Sequence, residues 1–170
     1  MSWFTPSPGT NTAKTHPATK TAAWLAICIV FTSGWEVYVS HAQKDIVGVP
    51  TVCYGATAAD HVDLSKTYTK AECQQMLGVD LVKYDAQIQK CIAPAVYAAL
   101  PPHRHAALVS LDYNIGPGAF CKSSVVRYLN AGNVASACNA FLLYDKAGGR
   151  TVQGLVNRRK AEQALCREDN

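Results

Sequence analysis

The stretch W-E-V-Y-V-S-H-A-Q-K-D-I-V-G-V-P-T-V-C-Y-G-A-T, from Trp35 to Thr57, decides how the rest of the chain is interpreted. Glu36 stands at the end of a long apolar run, Asp45 follows nine residues later, and Thr51 follows six residues after Asp45. Residues 45–57 are short, β-branched and interrupted by Gly, a pattern that predicts a small hairpin turning near Val47 and Gly48.

Proline at position 50 constrains this hairpin further. Because Pro cannot donate a ladder hydrogen bond, the strand that contains Pro50 is expected to be an edge strand.

Two carboxyl groups and a hydroxyl are the groups that glycoside hydrolysis uses. One carboxylic acid protonates the leaving oxygen, and the other carboxylate, helped by a hydroxyl, holds a water on the opposite face of the sugar. The alternative interpretation is that Glu36 is a solvated residue at a helix end and that Asp45 only starts a turn.

Three motifs in this order resemble those of phage-type lysozymes, the muramidase endolysins of lambdoid phages. They are Glu-x8-Asp-x5-Thr from Glu36 to Thr51, L-D-Y-N-I-G-P-G-A-F from Leu111 to Phe120, and G-L-V-N-R-R-K-A-E-Q-A-L-C from Gly154 to Cys166. The resemblance covers roughly residues 36–166. It implies hydrolysis of the β-1,4 bond between N-acetylmuramic acid and N-acetylglucosamine in peptidoglycan, a reaction that lyses the bacterial host. The resemblance implies that this reaction uses no metal and no cofactor.

The resemblance also implies a role for each site residue. Glu36 is the general acid, Asp45 is the ionised carboxylate that orients water, and Thr51 completes the water site. It further implies inversion, for which the two carboxyl groups lie roughly 6.5–9.5 Å apart.

The chain departs from the family pattern at four positions around these residues. The family has Gly, Tyr, Trp and His where this chain has Val37, Gln43, Pro50 and Ala56. The three catalytic positions are kept, so the departures bear on substrate preference and specific activity more than on the class of reaction.

Length and charge fit one domain with an N-terminal appendage. The chain has 170 residues, a formal charge of +4 and a pI near 8.7. This mild positive charge suits an anionic polymer such as a bacterial cell wall, or is an ordinary basic surface. Lys and Arg do not cluster with aromatic residues, so nucleic acid is not an expected partner.

Seven cysteines in 170 residues favour an exported, disulfide-bonded domain. Six of them lie in the lysozyme-like part and allow 15 connectivities, among which the sequence alone does not choose. The resemblance implies Cys53–Cys73, Cys91–Cys121 and Cys138–Cys166. Cys28 is then left over in the apolar run, either as a small apolar residue or as a thiol that attacks a disulfide.

The N-terminal part reads as a flexible arm over residues 1–20 followed by an uncharged run over residues 21–35. Lys14 and Lys20 precede this run and no acidic residue precedes Glu36, which predicts a cytoplasmic N-terminus and an exported remainder. Because a spanning helix needs about 20 residues, the membrane segment is expected to extend over residues 21–39.

Four interpretations of this segment compete. It could be a signal peptide cleaved after Ala42, which would remove Glu36, or after Gly34, which would spare it. It could be a permanent anchor, or a core helix of a soluble protein. We favour the signal-arrest-release segment of some endolysins that resemble this chain, in which a weakly hydrophobic helix holds the enzyme in the inner membrane, facing the periplasm, and later leaves it.

Helices dominate the remainder. Thr69 and Glu72 form a capping box that opens one helix, a second is predicted over residues 103–115, others over 134–144 and 156–166, and residues 147–150 are expected to be a flexible loop. His103 and His105 are expected to be solvated.

Two residues of these helices are candidates for substrate binding. Asn114 could bind a sugar amide or cap the turn that follows it. Arg159, like Arg158, could pair with carboxylates of peptidoglycan stems or brace the fold through Asp and Glu.

The predicted architecture is α+β: a mostly helical, lysozyme-like catalytic domain over residues 36–170 with one small hairpin or sheet, preceded by the membrane segment. The predicted partners are peptidoglycan and, through residues 21–39, the inner membrane, and the chain is expected to be a monomer. Two alternatives remain: a lytic transglycosylase on the same bond, and a catalytically weak wall-binding membrane protein.

Overall fold

The computed structural model describes residues 17–44 and 48–168, which form a mostly helical domain with small antiparallel sheets. In chain order the elements are α1 (Pro17–Ser33), β1 (Val39–Lys44), β2 (Pro50–Cys53), β3 (Ala56–Thr57), α2 (Lys70–Ile88), α3 (Pro94–Ala98), α4 (Pro102–Ile115), α5 (Pro117–Cys121), α6 (Ser124–Asn130), α7 (Val134–Ala140), β4 (Lys146–Ala147), β5 (Arg150–Thr151) and α8 (Gln153–Arg167). The predicted α+β architecture is confirmed for these residues.

The first sheet has the order β1-β2-β3, with both pairs antiparallel. The predicted hairpin therefore exists, but its first strand begins at Val39, before the range expected from the sequence. The prediction that Pro50 lies in an edge strand is wrong, because β2 is the central strand. Pro50 is tolerated as the first residue of β2, where it lies opposite Lys44 while β3 pairs only with Thr51 and Val52.

Helix α1 packs into the core of the domain against α4 and α2. Its buried stripe consists of Trp24, Cys28 and Thr32, which are spaced four residues apart and therefore lie on one helix face. The close approach to α2 depends on a small residue, since a Cβ at Gly78 would lie 2.9 Å from Ile29 Cδ1.

The apolar segment differs from its predicted extent. The helix ends at Ser33, and Glu36 follows a short turn instead of belonging to a helix that continues to Val39. Within the described ranges, no helix combines the length and the hydropathy that a membrane crossing needs.

Helix α2 begins where its sequence predicts. The Thr69 side chain accepts a hydrogen bond from Glu72 N, and the Glu72 carboxylate accepts one from Thr69 N, so both halves of the capping box are present.

Helix α4 is the central helix, with a run of eight buried residues from His105 to Asp112. The expectation of a solvated histidine is wrong for His105, because its Nε2 lies 2.6 Å from Asp85 Oδ1 and its ring stacks on Trp24 at 4.4 Å between centroids. Helix α4 therefore joins α1 to α2 through this histidine.

Toward the C-terminus, two segments differ from their predictions. The helix predicted over 134–144 ends at Ala140 and continues only as a 3-10 turn over Phe141–Leu143. The predicted flexible loop at 147–150 consists of the end of β4, the two-residue turn Gly148–Gly149 and the start of β5.

Three disulfides connect elements that are distant in sequence. Cys53–Cys73 joins β2 to α2, Cys91–Cys121 joins the end of α2 to α5, and Cys138–Cys166 joins α7 to α8. This is the pairing that the resemblance implies. Cys28 is unpaired and buried against α4, with its Sγ 3.5 Å from the carbonyl oxygen of Ala106.

Candidate active site

Glu36 is held where the end of α1 meets α8. Its Oε1 accepts a hydrogen bond from Arg158 Nη1 at 2.6 Å, across 122 positions of sequence. The Glu36 side chain is 26% exposed whereas the Arg158 side chain is 5% exposed, so the carboxylate faces solvent on one side and a buried cation on the other.

Arg158 is itself fixed by α4 and α8. Its Nε lies 3.2 Å from Glu162 Oε1, and its Nη2 lies 3.5 Å from the carbonyl oxygen of Ser110. The Ser110 hydroxyl donates to the same Glu162 oxygen at 2.8 Å. The partner of Glu36 is therefore held by two further contacts, whose acceptors on Ser110 and Glu162 are themselves linked, and it cannot turn away freely.

Glu162 lies at the centre of this buried network and has no exposed surface. It receives Arg159 Nε at 2.8 Å and Arg159 Nη2 at 2.9 Å, in addition to Arg158. Burial raises the pKa of the Glu162 carboxyl, while the Arg159 and Arg158 charges favour its ionised form.

Arg159, a predicted substrate-binding residue, has no exposed surface in this structure. Its guanidinium contacts Glu162 and, at 3.5 Å, the carbonyl oxygen of Tyr144. The geometry favours a role for Arg159 in bracing the fold over a role in substrate binding, because a fully buried guanidinium presents no donor to a ligand.

The predicted water-site residue Thr51 lies in the middle of β2. Its hydroxyl donates to the carbonyl oxygen of Gln43 at 3.3 Å, and its backbone lies opposite Gln43 in β1 and Thr57 in β3. Asp45, the predicted second carboxylate, lies outside the described residues, directly after the end of β1. Its role and its separation from Glu36 stay predictions.

Asn114 lies one turn beyond Ser110 on α4, with an exposed side chain. It lines an open cavity of about 540 Å³ together with Ile115, Leu143 and Tyr144. Its predicted contact with substrate stays a prediction.

Sequence reasoning missed three features of this site. It did not identify Arg158 as the partner of Glu36, nor Ser110 as a support of Glu162. A local signal existed for one contact only: Arg158 and Glu162 are four residues apart on one helix, a spacing that allows an ion pair. The third feature, the hairpin beside the cavity, had its signal in the pair Gly148–Gly149, a common two-residue turn.

Comparison with known proteins identifies the family of this chain. The phage lysozyme family model matches residues 33–162. The chain belongs to the phage lysozyme family, as its motifs indicated, and is therefore a peptidoglycan-hydrolysing enzyme.

Individual relatives agree with this assignment. A SAR-endolysin of Enterobacteria phage P21 is 42% identical over 123 residues, which are 72% of each chain. A SAR-endolysin of Bacteriophage PS119 is 40% identical over 72% of this chain and 71% of its own. Among solved structures, a variant of the lysozyme of phage P22 superposes with a TM-score of 0.73 at 32% identity, covering 82% of this chain and 94% of that chain.

Proposed function

We propose that the chain is an endolysin with muramidase activity, which hydrolyses the β-1,4 bond between N-acetylmuramic acid and N-acetylglucosamine. The observation that carries this proposal is the anchored Glu36. A general acid must be held in one orientation at the scissile bond, and the contact with buried Arg158 does this.

The contact also distinguishes the two oxygens of Glu36. Arg158 occupies Oε1, and Oε2 has no hydrogen-bond partner in the part of the chain that the structure describes. Oε2 is therefore the oxygen that gives its proton to the leaving sugar oxygen. Asp45 then acts as the base that orients water, and the Thr51 hydroxyl is the second contact of that water.

The test is mass spectrometry of the fragments that the protein releases from purified peptidoglycan, with Glu36→Gln and Asp45→Asn as variants. Hydrolysis leaves reducing ends, and both variants are expected to lose them. Anhydro ends that persist in Asp45→Asn would identify a lytic transglycosylase instead, because that reaction needs one acid and no oriented water. Cutting that survives in Glu36→Gln would refute the assigned role of Glu36.

We further propose that the protein is held in the inner membrane through residues 21–39, with residues 1–20 in the cytoplasm, and is later released to the periplasm as a monomer. Two relatives named SAR-endolysin support this proposal. The position of α1 gives it a mechanism. Three residue steps separate Ser33 from Glu36, a distance of at most about 10 Å, so Glu36 cannot stay on Arg158 while α1 lies in a bilayer.

A further inference from the structure

The segment between α2 and α4 exposes apolar groups on the outside of the domain. Residues 91–102 contain no charged residue, and they include the short helix α3. The inner side of this segment is fixed, because Ile92, Val96 and Leu100 pack in or against the core. Its outer side is exposed at four small apolar residues: Pro94, Ala95, Ala98 and Ala99. The segment therefore presents an uncharged, apolar surface to solvent.

An open groove adjoins this surface. It has a volume of about 290 Å³, and Val96 and Leu100 line it on one side while Leu129 and Val134 line it from α6 and α7. Arg104 also lines the groove, and its Nε donates a hydrogen bond to the carbonyl oxygen of Cys166 at 3.0 Å. The apolar surface of α3 thus continues into a groove whose floor is apolar as well.

Two exposed lysines flank the disulfide that begins this segment. Lys90 and Lys122 are the direct neighbours of the Cys91–Cys121 disulfide. Because the two cysteine Cα atoms are 5.4 Å apart, the lysine Cα atoms are at most about 13 Å apart. The Lys90 ammonium donates to Gln87 Oε1 at 2.7 Å, a neutral acceptor that leaves its charge uncompensated.

A third exposed cation, Arg127, comes from α6. It lies three residues before Asn130, on the same side of the helix. The Asn130 side chain donates to the carbonyl oxygen of Cys91 and accepts from Ala93 N, both at 2.9 Å. Helix α6 is therefore tied to the start of the apolar segment, and Arg127 lies near the two lysines.

Nearby carboxylates do not neutralise these three cations. Residues 86–144 contain one acidic residue, Asp112, and it is buried. Among the residues that the structure describes, none forms an ion pair with Lys90, Lys122 or Arg127. An anionic surface that approached α3 would therefore meet three free positive charges around an apolar centre.

We propose that this surface docks the released, folded protein on an anionic lipid bilayer. We call it the α3 face; it consists of the four exposed residues of the apolar segment, the adjoining groove, and Lys90, Lys122 and Arg127. The three cations contact lipid phosphates, and the small apolar side chains lie where headgroups meet acyl chains. Helix α1 keeps its place in the core, so this contact differs from the membrane segment over residues 21–39.

The combination of charge and apolar surface is what selects a bilayer as the partner. A bilayer offers anionic groups and, directly beneath them, an apolar phase, whereas a hydrated anionic polymer would leave the α3 surface and its groove without a partner. The inference goes beyond the proposed enzyme activity and shares with it only the proposed export to the periplasm. There, the membrane that the protein has left is the bilayer that it meets first.

The experiment is flotation of the full chain, purified without detergent, with lipid vesicles. One set of vesicles is phosphatidylcholine alone, and the other contains about one third phosphatidylglycerol. We expect binding to the anionic vesicles only. Binding should be at least tenfold weaker in about 500 mM NaCl than in about 50 mM NaCl, because salt screens exposed charges.

A charge-matched pair of triple variants tests the cations. Each Lys or Arg near an anionic bilayer strengthens binding about fivefold, so replacing Lys90, Lys122 and Arg127 together by Gln should weaken binding about a hundredfold. The control replaces three exposed cations elsewhere by Gln, and it should weaken binding less than about threefold. Its positions are Lys70, Arg150 and Lys160.

A second matched pair tests the apolar surface. Ala95 and Ala71 are both exposed and both lie in the first turn of a helix, in α3 and α2. Ala95→Glu should weaken vesicle binding at least tenfold, because it places a negative charge against the headgroups, whereas Ala71→Glu should change it less than threefold. Urea midpoints of all these variants should match the wild-type midpoint, since every replaced side chain is exposed.

Three vesicle results would overturn the inference: equal binding to neutral and anionic vesicles, equal losses in the two triple variants, or binding that resists high salt, as insertion of residues 21–39 would. Loss of binding to purified cell walls, but not to vesicles, in the Lys90, Lys122 and Arg127 variant would assign the α3 face to an anionic wall polymer and overturn it as well. These measurements use no catalysis, so a failed muramidase assay would refute the proposed function alone.

Discussion

Asp112 is a buried carboxyl group, and it makes the stability of the fold depend on pH. It lies in α4 with no exposed surface, and neither of its carboxylate oxygens has a hydrogen-bond partner among the described residues. Burial raises the pKa of Asp112 to about 7, from an ordinary value near 4, because the charged form loses its hydration.

The sign and size of the effect follow from proton linkage. Between pH 4 and pH 7 the folded state holds a proton on Asp112 that the unfolded state has released, so the free energy of unfolding falls as pH rises through this window. A difference of roughly 3 pKa units at about 1.4 kcal/mol each gives a loss of about 4 kcal/mol, which is complete above pH 7. Below pH 4 both states are protonated and the group has no effect.

The perturbation that isolates this effect is Asp112→Asn, which keeps the shape of the side chain and removes the ionisation. We expect the free energy of unfolding of the variant, minus that of wild type, to increase by about 4 kcal/mol from pH 4 to pH 7.5. The assay is urea unfolding at intervals of half a pH unit, with the disulfides intact. A difference that stays constant over this range would refute the reasoning.

The same substitution at Asp80, a partly exposed residue 2.7 Å from Lys83, controls for a general loss of negative charge. The free energy of unfolding of Asp80→Asn, minus that of wild type, should change by less than about 0.5 kcal/mol over the same pH range.

Two further predictions concern α1. Trp24→Ala should lower the free energy of unfolding by about 3–5 kcal/mol, because Trp24 is 3% exposed and stacks on His105. Trp24→Phe should lower the free energy of unfolding by less. Urea unfolding at pH 7 measures both variants, and an unchanged midpoint in the Ala variant would contradict the observed docking of α1. Full-length protein held in lipid vesicles should digest added cell walls much more slowly than detergent-free released protein, because Glu36 is then held away from Arg158; equal rates would contradict the release mechanism.

The parts of the fold that local interactions decide could be predicted from the sequence. The start of α2 follows from a capping box within four residues, and the body of α4 follows from its apolar periodicity. The β4–β5 hairpin was missed because Gly148 and Gly149 suit a flexible loop and a tight turn equally well. The strand that contains Pro50 was wrongly predicted to be an edge strand. Pro removes only its own backbone hydrogen bond, so the other residues of β2 can still pair on both sides.

The apolar segment shows a different limit. Fifteen uncharged residues fit a bilayer or a protein core, since both remove apolar surface from water. The contacts of Trp24, Cys28 and Thr32 with α4 and α2 exist only once those helices have folded.

By itself, the sequence determined the family, through three ordered motifs, and the resemblance to that family then implied the cysteine pairing and the three candidate catalytic residues. Only the tertiary structure decided what surrounds them: that Glu36 is anchored by Arg158 and that Arg159 is a brace. The physical reason is distance along the chain. Motifs and caps are set by neighbours within a few residues, whereas the partner of Glu36 lies 122 positions away and is set by how α1, α4 and α8 pack together.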